Sequence, residues 1–259
     1  MLTRYPHLDT VLDLQHQAIV NNDPRAFTLA EIEQYNDIGF TKPIPLFDGD
    51  ALEQLQRFFH ENESRIKQMK ADAKGFISLH NRLPELYDLV THPRTVGYLQ
   101  DLIGPDFVCH ISDFINKPPG QTEGGSFHQD ATFNAMDARS AIVWIALADV
   151  DVENGCMWFI PGSHKTGVVE CDTNHYVIDP SAHGQEVPCE VPAGHGVFMS
   201  DLLMHSSPPN KSKDRFRPGF TATYASAEVQ PHEQANRWAV QCSGVDSQGY
   251  WNPHPRPTG

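Results

Sequence analysis

The stretch SAIVWIALADVDVENGCMWFIPGS, residues 140–163, decides the fold. It holds two apolar runs, 140–150 and 156–160, split by the turn-forming ENG and closed by PGS. Both runs are rich in β-branched and aromatic residues, and neither is long enough for a typical helix. The same texture recurs in FVCHISDFI (107–115), GVFMSDLLM (196–204) and GFTATYASA (219–227). KPPG, PAGHG and SPPN punctuate these runs as turns. The pattern is that of a β sandwich or barrel with helices packed outside it: an α+β chain with a mainly β core.

Upstream the spacing turns helical. Thr28 and Glu31 form a capping-box pair ahead of LAEIEQYNDI, and Gly39 is its natural stop. Asp50 is positioned to cap a second helix, in which Leu52, Leu55, Phe58, Phe59 and Ile66 recur at helical spacing. Residues 84–104 read as two short helices broken at Pro93. One domain is expected over residues 1–259. Its helical part runs to about residue 105 and its β core from about 106 to 228. The tail from 229 to 259 reads as too rich in Pro for regular structure.

The net charge of −14 argues against nucleic acid or an anionic membrane as partner, since both demand a basic face. A small molecule remains the expected partner, and the oligomeric state is not legible. Five scattered cysteines without a CxxC pair, no apolar span of membrane length and no signal-peptide core in MLTRYPHLDTVLDLQ point to a reducing, cytoplasmic setting.

Function enters through GGSFHQDATFN, residues 124–134. In extended backbone His128 and Asp130 face the same way, with Gln129 turned aside. An imidazole and a carboxylate so placed can share one cation. A third ligand would complete the two-His-one-carboxylate facial triad of non-heme iron oxygenases. His205, after the apolar run GVFMSDLLM, is the strongest candidate. His110, His164, His175, His183 and His195 compete, although His164 and His195 sit in turns that read as surface loops. Arg217 opens the next run and Arg215 is its same-face neighbour; a guanidinium there is a candidate carboxylate clamp.

Taken in order, EIEQYNDIGF, HPRTVGYLQDLIG, FINKPPG, FHQD, VWIALADVDVENGCMWFIPGSHKTG, VPAGHGVFMSDLLMHSSPPNKS and RFRPGFTATYA resemble the phytanoyl-CoA dioxygenase family of Fe(II)/2-oxoglutarate oxygenases. The resemblance runs from about Phe27 to Tyr224. It implies a double-stranded β-helix, a cupin-like jelly roll buttressed by the N-terminal helices. It also implies Fe(II) on His128, Asp130 and His205, with 2-oxoglutarate and O2 as cosubstrates. Arg217 matches the arginine that binds the far carboxylate of 2-oxoglutarate, while Gln129, Trp144 and Ser207 fall at cosubstrate contacts. The family's halogenating members lack the carboxylate, so Asp130 directs the expectation to hydroxylation of a small, polar metabolite. Desaturation, epoxidation or cyclisation with the same cofactors, and a non-catalytic cupin-like binding module, are the alternatives. Phe127, Phe133 and Asn134 are candidate substrate walls, and Lys117 and Arg82 candidate contacts to an anionic substrate. His80 and Asn81 are further candidates at the mouth. The loop at 169–188 and the tail holding Trp251 are candidate lids.

Overall fold

A computed structural model describes residues 2–4, 11–73, 78–133, 136, 140–231 and 238–258. The helices are α1 (Leu29–Ile38), α2 (Gly49–Ala73), α3 (Pro84–Val90) and α4 (Pro93–Ile103). The strands are β1 (Leu2–Arg4), β2 (Val11–Asp13), β3 (Ile44–Pro45), β4 (Phe107–Lys117), β5 (Gly125–His128), β6 (Ser140–Ala146) and β7 (Met157–Phe159), followed by β8 (Val187–Cys189), β9 (His195–Ser200), β10 (His205–Ser207), β11 (Arg217–Ser226), β12 (Trp238–Ser243) and β13 (Asn252–Pro253).

Local chemistry explains the helix boundaries. Thr28 Oγ1 accepts from Glu31 N while Glu31 Oε2 accepts from Thr28 N, which closes the capping box. Gly39 ends α1 in the left-handed region at φ 89°. A β-carbon there would also stand 2.6 Å from His164 Nδ1, so both backbone and packing call for glycine. Pro93 opens α4 at the first helical position, where its missing N–H is harmless. The expected start of α2 is corrected. Asp50 lies inside the first turn, and the carbonyl of Asp48 accepts from Ala51 N and Leu52 N.

Two sheets make a jelly roll. One has the order β13-β12-β4-β11-β6-β9-β3 and the other β5-β10-β7-β8. Neighbours are antiparallel except β12 and β13. The interior strand β6 is buried along its whole length, and its alternation assigns each face. Ile142, Trp144 and Ala146 point inward and meet Val197 and Met199 of β9 and Met157 and Phe159 of β7. Ala141, Val143 and Ile145 point outward and meet Ile32, Phe59, Ile66, Leu86 and Leu99 of the helices. Burial on both faces is why this strand reads as an unbroken apolar run. Each large side chain fully buried there contributes about 1.5–3 kcal/mol. Tyr224 of β11 fixes the helical layer further, its hydroxyl donating to Val90 O at 3.0 Å.

The tail departs from expectation. Residues 238–243 pair with β4 as β12, and Asn252–Pro253 pairs in parallel with β12. Trp251 is only 3 % exposed, packed with Val108, Ala225 and Ala239. This segment is an edge of the sheet rather than a lid. Among the described residues no helix is long and apolar enough to cross a membrane.

Candidate metal centre and cosubstrate pocket

β5 and β10 are antiparallel neighbours with His128 directly opposite His205. That register brings together two imidazoles far apart in the chain, their ring centroids 4.3 Å apart. Asp130 follows at the start of a 3-10 turn, Asp130–Thr132, anchored by Phe133 N donating to Asp130 O at 2.9 Å. Asp130 Oδ1 lies 3.4 Å from His128 Nε2 and 3.9 Å from His205 Nε2. One ligating atom from each of the three residues falls within 4.8 Å of the others. The side chains of His128, Asp130 and His205 are 19 %, 26 % and 7 % exposed, so the cluster is recessed yet reachable.

The remaining ring nitrogens settle the tautomers. His128 Nδ1 lies 2.8 Å from Ser126 O and His205 Nδ1 3.0 Å from Leu203 O. A carbonyl only accepts, so each Nδ1 carries a proton and Nε2 is left as the nitrogen that can ligate once it is free of one. Burial, and then the charge of His128, push His205 down to about 4, which keeps it neutral. Burial raises the Asp130 carboxyl, but His205 and His128 outweigh it and hold the group below its usual range. Burial lowers His128, while its hydrogen bond to Asp130 brings it to a net rise. Two imidazole nitrogens and one carboxylate oxygen are a donor set that fits a divalent transition metal such as Fe(II).

A second cluster forms where β11 begins. Arg217 is 1 % exposed. Its Nε donates to Gly155 O at 3.1 Å and its Nη2 to Ser207 Oγ at 2.7 Å, while Nη1 is buried without a partner. Its guanidinium carbon sits 4.9 Å from the centroid of the Trp144 ring. Lys117, also buried, donates from Nζ to Ser207 O, Ser207 Oγ and Pro208 O at 2.6, 2.5 and 2.6 Å. The structure therefore brings Arg217, Trp144 and Ser207 together. Lys117, expected at the substrate, joins them in this pocket.

Other expectations change in place. The Gln129 amide donates to Gly167 O and Leu202 O and accepts from Val169 N. Both amide hydrogens are spent on backbone carbonyls, so the side chain ties the loops around Gly167 and Leu202 together, while one lone pair of Oε1 remains. Arg215 is exposed and paired with Asp151 and Glu153 at 2.6 and 2.7 Å, which removes it as a clamp. Phe127 packs on Ile160, Val177 and Met204. Phe133 meets the His128 ring edge-on at 5.8 Å and stacks on His175 at 4.2 Å. Asn134 lies outside the described residues. Arg82 is exposed beyond the turn Leu79–Asn81, and none of its described hydrogen bonds or ion pairs reaches the triad. His80 is buried, its Nδ1 2.8 Å from Ser112 Oγ. His164 is fully buried, not a surface-loop residue. The loop at 169–188 is tied down where Val177 N donates to Phe127 O.

One buried acid escaped the sequence reading. Asp201 O accepts from Ala131 N, directly behind the metal segment, and the Asp201 carboxyl takes a short hydrogen bond from Ser140 Oγ. Burial, with Asp130 adding, pushes this carboxyl up to about 7. A charged residue ending a strand just before the ligand-bearing one, as in FMSDLLMH, was the available signal.

A jelly roll with a His-x-Asp…His cluster at one end and a buried arginine alongside belongs to a defined class of folds that carry non-heme metals. The sequence profile of phytanoyl-CoA dioxygenase (PhyH) matches residues 29–219, and the chain belongs to that family. Peroxisomal phytanoyl-CoA dioxygenase of Bos taurus is 29% identical over 158 residues, covering 55% of this chain and 47% of that protein. The chain thus spans about half the length of such curated relatives. Among solved structures, the apo form of the non-heme monooxygenase ThoJ superposes with a TM-score of 0.73 at 24% identity, over 87% of this chain and 88% of that one. CytC3 with Fe(II) and alpha-ketoglutarate superposes with a TM-score of 0.66 at 21% identity, over 86% and 91%. At these identities the structural likeness speaks for the fold.

Proposed function

We propose that this chain is an Fe(II)- and 2-oxoglutarate-dependent dioxygenase that hydroxylates an unactivated C–H bond of a small, polar metabolite. One observation carries the reading: three metal-ligand side chains converge in the same roll as a buried guanidinium that has a free N–H and no carboxylate partner. A buried cation without an anion is costly in a finished protein, so a ligand carboxylate is the expected complement. The family profile and the solved CytC3 complex support the same pair of cofactors.

His128, Asp130 and His205 would hold the iron, which supplies O2 activation coupled to oxidative decarboxylation of 2-oxoglutarate. The chain's own work is orientation. Ser126 O and Leu203 O hold the imidazole rings so that Nε2 faces the cluster. Arg217 and Ser207 bind the far carboxylate of the cosubstrate. Trp144 walls the pocket, and Phe133 stacked on His175 shields one side of His128 from water. Five unpaired cysteines suit a reducing, cytoplasmic compartment.

Substrate-stimulated succinate release tests the reading. Metabolite pools should raise succinate formation only when Fe(II) and 2-oxoglutarate are both present. The product should be heavier than its substrate by one oxygen. Loss of two hydrogens would instead mark desaturation or ring closure. A wild-type protein that releases no succinate, even uncoupled, would be a binding module.

A further inference from the structure

Two buried cations, Lys117 and Arg217, converge on one hydroxyl. Ser207 Oγ accepts from Lys117 Nζ at 2.5 Å and from Arg217 Nη2 at 2.7 Å. A serine oxygen has two lone pairs, and here both are filled. Its single hydrogen therefore has to donate, and it cannot donate back to either cation. Arg217 Nη1 beside it also lacks a partner. The pocket thus presents two donors and no acceptor, next to two cations whose charged surroundings include no carboxylate.

We propose that Lys117 is a positioning residue which locks Ser207 as a hydrogen-bond donor to the far carboxylate of a 2-oxo dicarboxylate, so that the enzyme selects 2-oxoglutarate over 2-oxo monoacids. The inference rests on the cosubstrate reading above and adds to it the residue that sets the polarity of the pocket. Lys117 does not touch the cosubstrate. Its three ammonium hydrogens are committed to Ser207 O, Ser207 Oγ and Pro208 O. It acts through the serine and through its charge.

A pH signature follows. Burial and then the Arg217 charge push Lys117 down to about 7. The other titratable group facing it, the Cys156 thiol, is pushed up to about 11 by burial and stays neutral. A bound carboxylate stabilises the ammonium, so binding above pH 7 takes up a proton. Affinity for 2-oxoglutarate is then greatest below pH 7 and falls by up to about tenfold per pH unit above it.

The test is anaerobic calorimetry on the Fe(II)-loaded protein, with 2-oxoglutarate and with pyruvate, which keeps the 2-oxo acid but lacks the far carboxylate. Lys117→Met should weaken 2-oxoglutarate binding about tenfold or more, leave pyruvate binding within about twofold, and flatten the pH dependence. In a Ser207→Ala background the same change should cost less than it does in wild type, because the hydroxyl it polarises is gone. Should Lys117→Met fail to fold, the wild-type pH profile decides: a fall in affinity for 2-oxoglutarate but not for pyruvate supports the proposal, and parallel profiles overturn it. Equal binding of 2-oxoglutarate by variant and wild type overturns this inference alone. No binding by wild type overturns the cosubstrate reading and this inference together.

Discussion

Gly219 lies flat against the indole of Trp144, so close that a β-carbon at 219 would meet Trp144 Cε2 at 2.6 Å. The same indole carries the Arg217 guanidinium over its ring. The glycine therefore sets the depth of the tryptophan, and the tryptophan supports the arginine. Gly219→Ala should displace the indole and destabilise the fold by about 1–3 kcal/mol, the usual range for overpacking. Urea denaturation measures the loss. The KM for 2-oxoglutarate should rise as well, and an unchanged KM would show that Trp144 and Arg217 are not coupled.

The two neighbouring arginines should separate cleanly. Arg217→Ala leaves a carboxylate without its guanidinium in a buried pocket and should raise the 2-oxoglutarate KM by about 100-fold. Arg215→Ala removes an exposed pair with Asp151 and Glu153. It should change stability by less than about 1 kcal/mol and leave the KM alone. Steady-state succinate assays across cosubstrate concentration distinguish the two.

Asp130→Ala should abolish succinate formation and weaken Fe(II) binding by more than about 100-fold, beyond the range seen when partners of metal ligands are lost. Far-UV circular dichroism should stay unchanged, because no described hydrogen bond of the Asp130 carboxylate reaches outside the triad. Turnover retained in this variant would sink the metal assignment.

Much of this was legible in the sequence where the determinants are local. The capping box of Thr28 and Glu31 and the break at Pro93 need only neighbours a few residues away. His128 and Asp130 were visible as a pair for the same reason. The unread parts depend on partners distant in the chain. The enclosure of Lys117 was not legible because Ser207 and Pro208, which surround it, lie about 90 residues on. The C-terminal segment looked irregular because its regularity comes from pairing with β4, more than 100 residues earlier, and not from its own composition. The loop-tying role of Gln129 was hidden because its neighbours in sequence are site residues while its hydrogen bonds reach Gly167 and Leu202.

The hydrogen bonds of Gln129 should matter for stability. Gln129→Ala would leave Gly167 O, Leu202 O and Val169 N without their partner in a region that is nearly fully buried. The expected loss is about 2–4 kcal/mol, since each orphaned backbone group costs on the order of 1 kcal/mol or more. Chemical denaturation reads it. If Gln129 instead bound the cosubstrate, the variant would keep its stability and lose affinity for 2-oxoglutarate.

Asp201 should set the pH dependence of folding. Burial raises its folded-state carboxyl to about 7, from 3.8 in the open chain. Between those values the folded state holds a proton that the unfolded state has released. Stability contributed by this group is therefore complete at low pH, declines as pH rises from about 4 to about 7, and levels off above. Asp201→Asn keeps an oxygen acceptor for Ser140 and carries no charge at any pH. It should make the protein more stable than wild type at pH 8, by on the order of 1–3 kcal/mol. Near pH 4 the gain should vanish. Thermal melts at the two pH values test both the size and the sign. A variant less stable than wild type at pH 8 would mean that the Asp201 carboxylate is held charged, by a partner stronger than the Ser140 hydroxyl.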